Sequence, residues 1–205
     1  MFIKQYPYIL AILFSITFIA LGVNPVDRNV WIVEVIPIMI TFLILVTTFN
    51  KFRFSNYSYT LMALWMFWHT VGGHYTFANV PFDFVTELFG FERNHFDRIG
   101  HFIIGFYAFP MAELVVRQKW AGPILASFFG LFFVVTIATS YEVIEWLYAV
   151  IEGGEAGMEF LGSQGDVWDA QKDMLADTLG AIFSLALFWY IRPDLKKEEK
   201  ESYEK

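Results

Sequence analysis

Apolar residues run through this chain in long stretches, and charged residues gather in the short segments between them. A helix needs about 20 mostly apolar residues to cross a bilayer. Six stretches have that character: 6–23, 31–49, 57–77, 99–116, 120–150 and 173–191. The fifth is long enough to tilt or to extend beyond the bilayer. Pro37 and Pro110 are expected to kink their helices, and Gly72-Gly73 to loosen the third. A cleaved signal peptide is a poor reading of the first stretch, because Lys4 is its sole leading charge and Ala20-Leu21-Gly22 is a weak cleavage site. The pattern predicts an all-α polytopic membrane protein. One domain of about six transmembrane helices fills 1–193, and a charged, disordered tail follows at 194–205.

Basic residues orient such a bundle, since short cytoplasmic segments carry the excess of Lys and Arg. Ten of the 14 lie on one side: Lys4, Lys51, Arg53, Arg117, Lys119, Arg192, Lys196, Lys197, Lys200 and Lys205. Arg28, Arg93, Arg98 and Lys172 lie on the other. Both termini are therefore expected in the cytoplasm, with 24–30, 79–98 and 151–172 facing outward.

Composition agrees. The chain has 205 residues, 57% of them hydrophobic and 17% charged, against about 25% charged in a soluble domain. Mean hydropathy is +0.48. A net charge of −7 gives no reason to expect nucleic acid as a partner. With no Cys in the chain, disulfides and thiol chemistry are excluded, and any metal must be held by His and carboxylate.

Those ligand types collect at the outward ends. His69 and His74 lie in the outer part of the third stretch, His95 precedes the fourth, and His101 opens it. Asp97 and His101 are four apart and share a helix face. Glu142 and Glu145 are three apart in the fifth stretch. At about 1.5 Å per residue, Glu142 lies about 35 Å along from Lys119, near the outer interface. Asp166, Asp169, Asp173 and Asp177 are spaced as one helical stripe. Ala176, Gly180 and Ser184 form a small-residue ridge that admits a close neighbour, so Asp173 and Asp177 should face protein. Ionisable groups at membrane depth are costly and persist for a function or a paired structural role. Three helix ends thus converge in expectation. Asp97, His101, Glu142, Asp173 and Asp177 are the candidate ligands of a divalent cation. Glu145 is the candidate general base, and His95 or Arg98 the contact for an anionic head group. The same acids also suit a proton relay or a structural network.

Other polar residues have plainer readings. Asp166 or Asp169 serves as a helix cap. Gly153, Gly154, Gly157, Gly162 and Gly165 mark turns. Glu113 pairs with Arg117 at the inner interface, His69 makes a helix–helix hydrogen bond, and Glu34 is interfacial. Trp65, Trp68, Trp146 and Trp168 serve packing or the interfacial belt.

Four segments carry a resemblance: His74-Tyr75-Thr76-Phe77, the run 93–102 from Arg93 to Phe102, Ser140-Tyr141-Glu142-Val143-Ile144-Glu145-Trp146, and the run 160–174 from Phe160 to Met174. In this order they resemble the YjdF family of bacterial inner-membrane proteins over nearly the whole chain. That implies a multi-pass protein of the plasma membrane and no particular reaction. A more distant likeness is to the VanZ-like superfamily, small multi-span proteins linked to glycopeptide resistance. Asp97-Arg98-Ile99-Gly100-His101-Phe102 is similar to its Asp-Lys-x-x-His-Phe motif, with Arg98 for Lys. Glu142 through Glu145 is similar to its Glu-x-x-Gln, with Glu145 for Gln. Asp173 through Gly180 is similar to its Asp-x-x-x-Asn-x-x-Gly, with Asp177 for Asn. Two amides thus become acids, which favours a cation. The expected partners are the bilayer and a lipid-linked or cell-envelope substrate. The alternatives are a small proton- or cation-coupled transporter or lipid-handling protein, and a structural membrane subunit.

Overall fold

The computed structural model describes residues 2–193, and every regular element among them is helical. The expected tail at 194–205 lies outside the described residues. Nine α-helices follow in order: α1 (Phe2–Gly22), α2 (Arg28–Thr48), α3 (Asn56–Tyr75), α4 (Asp83–Phe89), α5 (Phe96–Ile104), α6 (Ala108–Arg117), α7 (Pro123–Glu152), α8 (Gly154–Leu161) and α9 (Asp169–Ile191).

Five described segments are long and apolar enough to cross a membrane: α1, α2, α5 with α6, α7, and α9. The third expected span is α3. It has the length, 20 residues, but carries Ser58, Thr60, His69, Thr70 and His74 and is less apolar than the others. Its position explains the difference. It is the axis of one half of the bundle, with α1, α2, α5 and α6 packed around it, and its polar groups meet protein partners. The second half is built on α9, which packs against α5, α6 and α7. The α5–α6 segment belongs to both halves. A continuous apolar core runs through it, from Met62 and Trp65 across Phe106 and Phe109 to Leu185 and Phe188. The outer surface is apolar too. Ile32, Ile36 and Ile40 on α2 are each at least half exposed, as are Ile12 and Ile16 on α1. In water such a surface would drive association; in hydrocarbon it is the required one.

The fourth expected span is one segment but two helices. A 3₁₀ turn, Gly105–Tyr107, separates α5 from α6. Pro110 cannot donate to the carbonyl four residues back, which places the break one turn before it. Gly105 sits at the break with α9 pressed onto it. A β-carbon there would collide with the backbone of Asp177, Gly180 and Ala181. The ridge on α9 works as expected for Gly180 and Ser184, both buried, and Ser184 donates to Gly105 O at 3.3 Å. Pro37, by contrast, lies within an uninterrupted α2.

The cap reading of Asp166 and Asp169 is corrected. The residue at the cap of α9 is Trp168, with no side-chain cap bond, and Asp169 is the first helical residue. Asp166 closes a turn before the helix by accepting from Trp168 N at 3.1 Å. Asp27 does cap a helix, accepting from Asn29 N and Val30 N at the start of α2. At the end of the bundle away from the His cluster, Glu113 is fully buried. It accepts from Ser55 N at 2.8 Å, from the Ser55 and Ser58 hydroxyls, and from Arg117. Ser55 is also the cap of α3, so this carboxylate ties α6 to the start of α3 and needs no catalytic explanation.

Candidate functional site

The site is assembled where the start of α5, the first half of α9 and the second half of α7 meet. On α5, Asp97 and His101 stack one turn apart, with His101 Nε2 3.7 Å from Asp97 Oδ1. On α9, Asp169, Asp173 and Asp177 share the buried face that Gly180 and Ser184 continue. Asp177 is completely buried, and its Oδ2 lies 3.2 Å from His101 Nδ1. Glu142 comes from α7, with Oε1 4.0 Å from His101 Nε2. The imidazole of His101 therefore faces three carboxylates on three helices. Ligand atoms of Asp97, His101 and Asp173 all lie within 4.8 Å of one another.

The carboxylate oxygens are undersupplied with donors. Glu142 Oε1, Asp173 Oδ1 and Asp177 Oδ1 are buried and have no hydrogen-bond partner among the described residues. Buried polar atoms are ordinarily paired, because an unpaired one costs about 1–3 kcal/mol, more when charged. Of the three, Asp173 Oδ1 meets Arg98 Nε as an ion pair, while Glu142 Oε1 and Asp177 Oδ1 lack a hydrogen-bond donor.

Above this cluster lies a layer of alternating charge. Arg98 makes ion pairs with Asp169 and, through Nε, with Asp173, and stands 3.9 Å from Asp166. The Nε of Arg98 is not aimed along a hydrogen bond, so its pair with Asp173 is electrostatic. Arg93 also grips Asp169 and donates to Ser163 O and Gly162 O. Lys172 Nζ donates to Asp166 at 2.6 Å. That bond and the Trp168 amide hold the Asp166 carboxyl below the usual carboxylate range. Arg93 in the loop before α5 and Arg98 in the first turn of α5 thus fasten this segment onto the start of α9, and Asn94 reinforces the tie by exchanging hydrogen bonds with Gln164.

His95 stands at the edge of this layer against Phe91, with ring centroids 4.5 Å apart. Burial first, then Arg93 and Arg98, push its pKa below the ordinary value. At neutral pH it offers a hydrogen bond rather than a charge. Arg98, the other residue expected to contact an anionic head group, is paired with Asp169 and Asp173. Glu145 lies one turn beyond Glu142 and interacts electrostatically with Glu142, Asp97 and Glu34.

Glu34 needs a correction. It is not interfacial but 3% exposed, inside the bundle. His69 Nε2 lies 3.2 Å from its Oε2 and 3.0 Å from its backbone oxygen. The Tyr141 hydroxyl donates to Oε2 at 2.9 Å. The helix–helix hydrogen bond expected of His69 is therefore present, and its partner is an acid beside the main cluster. His74 is a tie of a different kind, with Nδ1 2.6 Å from Leu21 O at the end of α1. Trp65 is buried and the Trp68 indole donates to Phe96 O at 3.0 Å, while Trp146 and Trp168 are exposed, as packing and belt roles require.

Comparison with known proteins places this architecture. A protein from Escherichia coli (strain K12), "Inner membrane protein YjdF", is 35% identical over 175 residues, which cover 84% of this chain and 83% of that protein. No solved structure matches. A family model described as "Predicted membrane protein (DUF2238)" matches residues 6–194, nearly everything that the nine helices span. The chain, a helical membrane protein with a buried His and carboxylate cluster, belongs to that family.

Proposed function

We propose that the cluster is a divalent-cation site of a plasma-membrane protein acting on a lipid-linked or cell-envelope substrate from the outer leaflet. The observation that carries the cation is the pair of buried oxygens without a hydrogen-bond donor, Glu142 Oε1 and Asp177 Oδ1, beside His101, with Asp173 Oδ1 held by Arg98 through an ion pair alone. Charge supports it. Among the described residues, the ion-pair partners of Asp97, Glu142, Asp177 and Glu34 are His101 and His69 alone, since Arg98 is spent on Asp169 and Asp173. Carboxylates dominate the donor set and sulfur is absent, which suits Mg²⁺, Mn²⁺ or Ca²⁺, with a single imidazole that Mn²⁺ tolerates well. Bound there, a cation would polarise a phosphoryl oxygen or activate water, with Glu145 as the neighbouring base.

The outward placement rests on the ten-to-four division of basic residues. A periplasm-dependent reporter fused after Lys205 is expected to stay inactive and a cytoplasm-dependent one to work; the reverse result puts the site inside. A transport reading has less support. Between the cluster and Glu113 the core is chiefly apolar, with Ile103, Phe106, Phe109, Leu185 and Phe188, and its buried hydroxyls on Ser184 and Tyr107 are neutral groups that donate to backbone oxygens. Glu113 itself is saturated with donors.

Elemental analysis of the detergent-purified protein tests the cation. About one equivalent of metal per chain is expected, and the Glu142→Gln/Asp177→Asn double variant should lose it. No metal in either form, even after incubation with excess Mn²⁺, Mg²⁺ or Ca²⁺, overturns the proposal.

A further inference from the structure

The two halves of α7 are held very differently. In the first half, Ala126, Gly130, Val134 and Ala138 are buried at four-residue intervals. Gly130 lies so close to Ala108 that a β-carbon would strike its carbonyl oxygen. From Thr139 to Glu152, no residue of α7 is buried. Yet this poorly seated half carries Glu142 and Glu145. Packing alone does not fix their positions, and a site needs its ligands held to a fraction of an ångström.

A polar tether takes that place. Tyr141 precedes Glu142, and its hydroxyl reaches across to Glu34 Oε2 at 2.9 Å. Glu34 is itself immobilised. His69 holds both its carboxylate and its backbone oxygen. Its β-carbon lies 3.2 Å from where a β-carbon on Gly73 would stand, leaving no room to shift toward α3. His69 and Gly73 belong to α3, the helix with the longest buried face. The chain of contacts therefore runs from the bundle axis through His69 and Glu34 to Tyr141 and the adjoining turn of α7. The helices it joins, α2 and α7, each pack chiefly on other neighbours: α2 on α3, and α7 on α6, α8 and α9.

We infer that Tyr141, Glu34 and His69 are positioning residues of the cation site, a tether from α3 that holds Glu142 at ligand distance from His101. The inference rests on the cation reading above. Removal of the phenolic hydroxyl releases the turn while leaving all five ligands in the chain.

The test is Mn²⁺ binding by the purified protein, followed by electron paramagnetic resonance, in the wild type, Tyr141→Phe and Glu34→Ala. Wild type is expected to bind one Mn²⁺, and each variant to bind at least tenfold more weakly, with a changed hyperfine pattern. Metal-free melting of Tyr141→Phe should stay close to wild type, which separates misplaced ligands from a loosened fold. If Glu34→Ala fails to fold, Tyr141→Phe alone decides. Wild-type affinity and spectrum in Tyr141→Phe overturn the tether and leave the cation site standing. Absence of Mn²⁺ binding in the wild type itself overturns both.

Discussion

Arg98→Ala is expected to cost the metal-free protein about 3–5 kcal/mol, the usual penalty for removing one partner of a buried ion pair. Arg98 is 18% exposed and its partners less so, 9% for Asp169 and 4% for Asp173. The two acids do not suffer equally. Asp169 keeps Arg93, whereas among the described residues Asp173 has no second Arg or Lys paired with it and is left beside His101 and whatever enters that cluster. The orphaned charge thus falls on a candidate ligand. This yields a second, opposite effect: saturating Mn²⁺ should raise the melting temperature of Arg98→Ala more than that of wild type, because the ion neutralises the stranded carboxylate. Arg98→Lys should fall between the two, keeping the charge but losing the fork that spans two carboxylates. Thermal unfolding in detergent, with chelator and with Mn²⁺, checks both signs. A variant that melts with wild type in chelator would show that the pair adds nothing.

The degree to which sequence revealed this arrangement follows from how far each signal acts along the chain. Membrane spans are local: a bilayer imposes apolar length directly, so α1, α2, α7 and α9 could be read from their runs. Asp97 with His101, and Asp173 with Asp177, were legible because helical spacing alone puts each pair on one face. Glu34 was not. In an apolar helix surrounded by lipid and protein, hydrophobicity does not mark the inward face, so nothing near Glu34 distinguishes burial from the interface. Its partners lie 35 residues away in His69 and 107 away in Tyr141. The commitment of Arg98 was hidden for the same reason. Its neighbours in sequence suggest a free outward charge, but the loop from Gly162 onward folds back to present Asp169, 71 residues distant. The break at Gly105 combines a local cause, Pro110, with a distant one, the backbone of α9.

Gly180 is the position from which fold and site are expected to fail together. A β-carbon there would overlap the carbonyl oxygen of Phe102, and the adjacent Gly105 faces the same contact from the other side. Obstruction by a side chain can be relieved by a rotamer change. Obstruction by backbone requires the helices to separate. An added methylene in a packed core costs about 1–3 kcal/mol, and this one should exceed that range because no flexible group lies in its way. Separation of α5 from α9 also draws Asp97 and His101 away from Asp173 and Asp177, since those four residues sit on the same two helices within two turns of the contact. Gly180→Val is therefore expected to abolish a cooperative melting transition or lower it by tens of degrees, and to eliminate metal binding in whatever folded protein remains. Gly122→Ala is the matched control. Its β-carbon meets nothing within 4 Å, so binding should stay at the wild-type value and melting should fall by no more than the small penalty of Ala for Gly at the N-cap of α7. Should Gly180→Val melt and bind as wild type does, the close α5–α9 contact would not exist as described, and the ligand geometry that depends on it would fall as well.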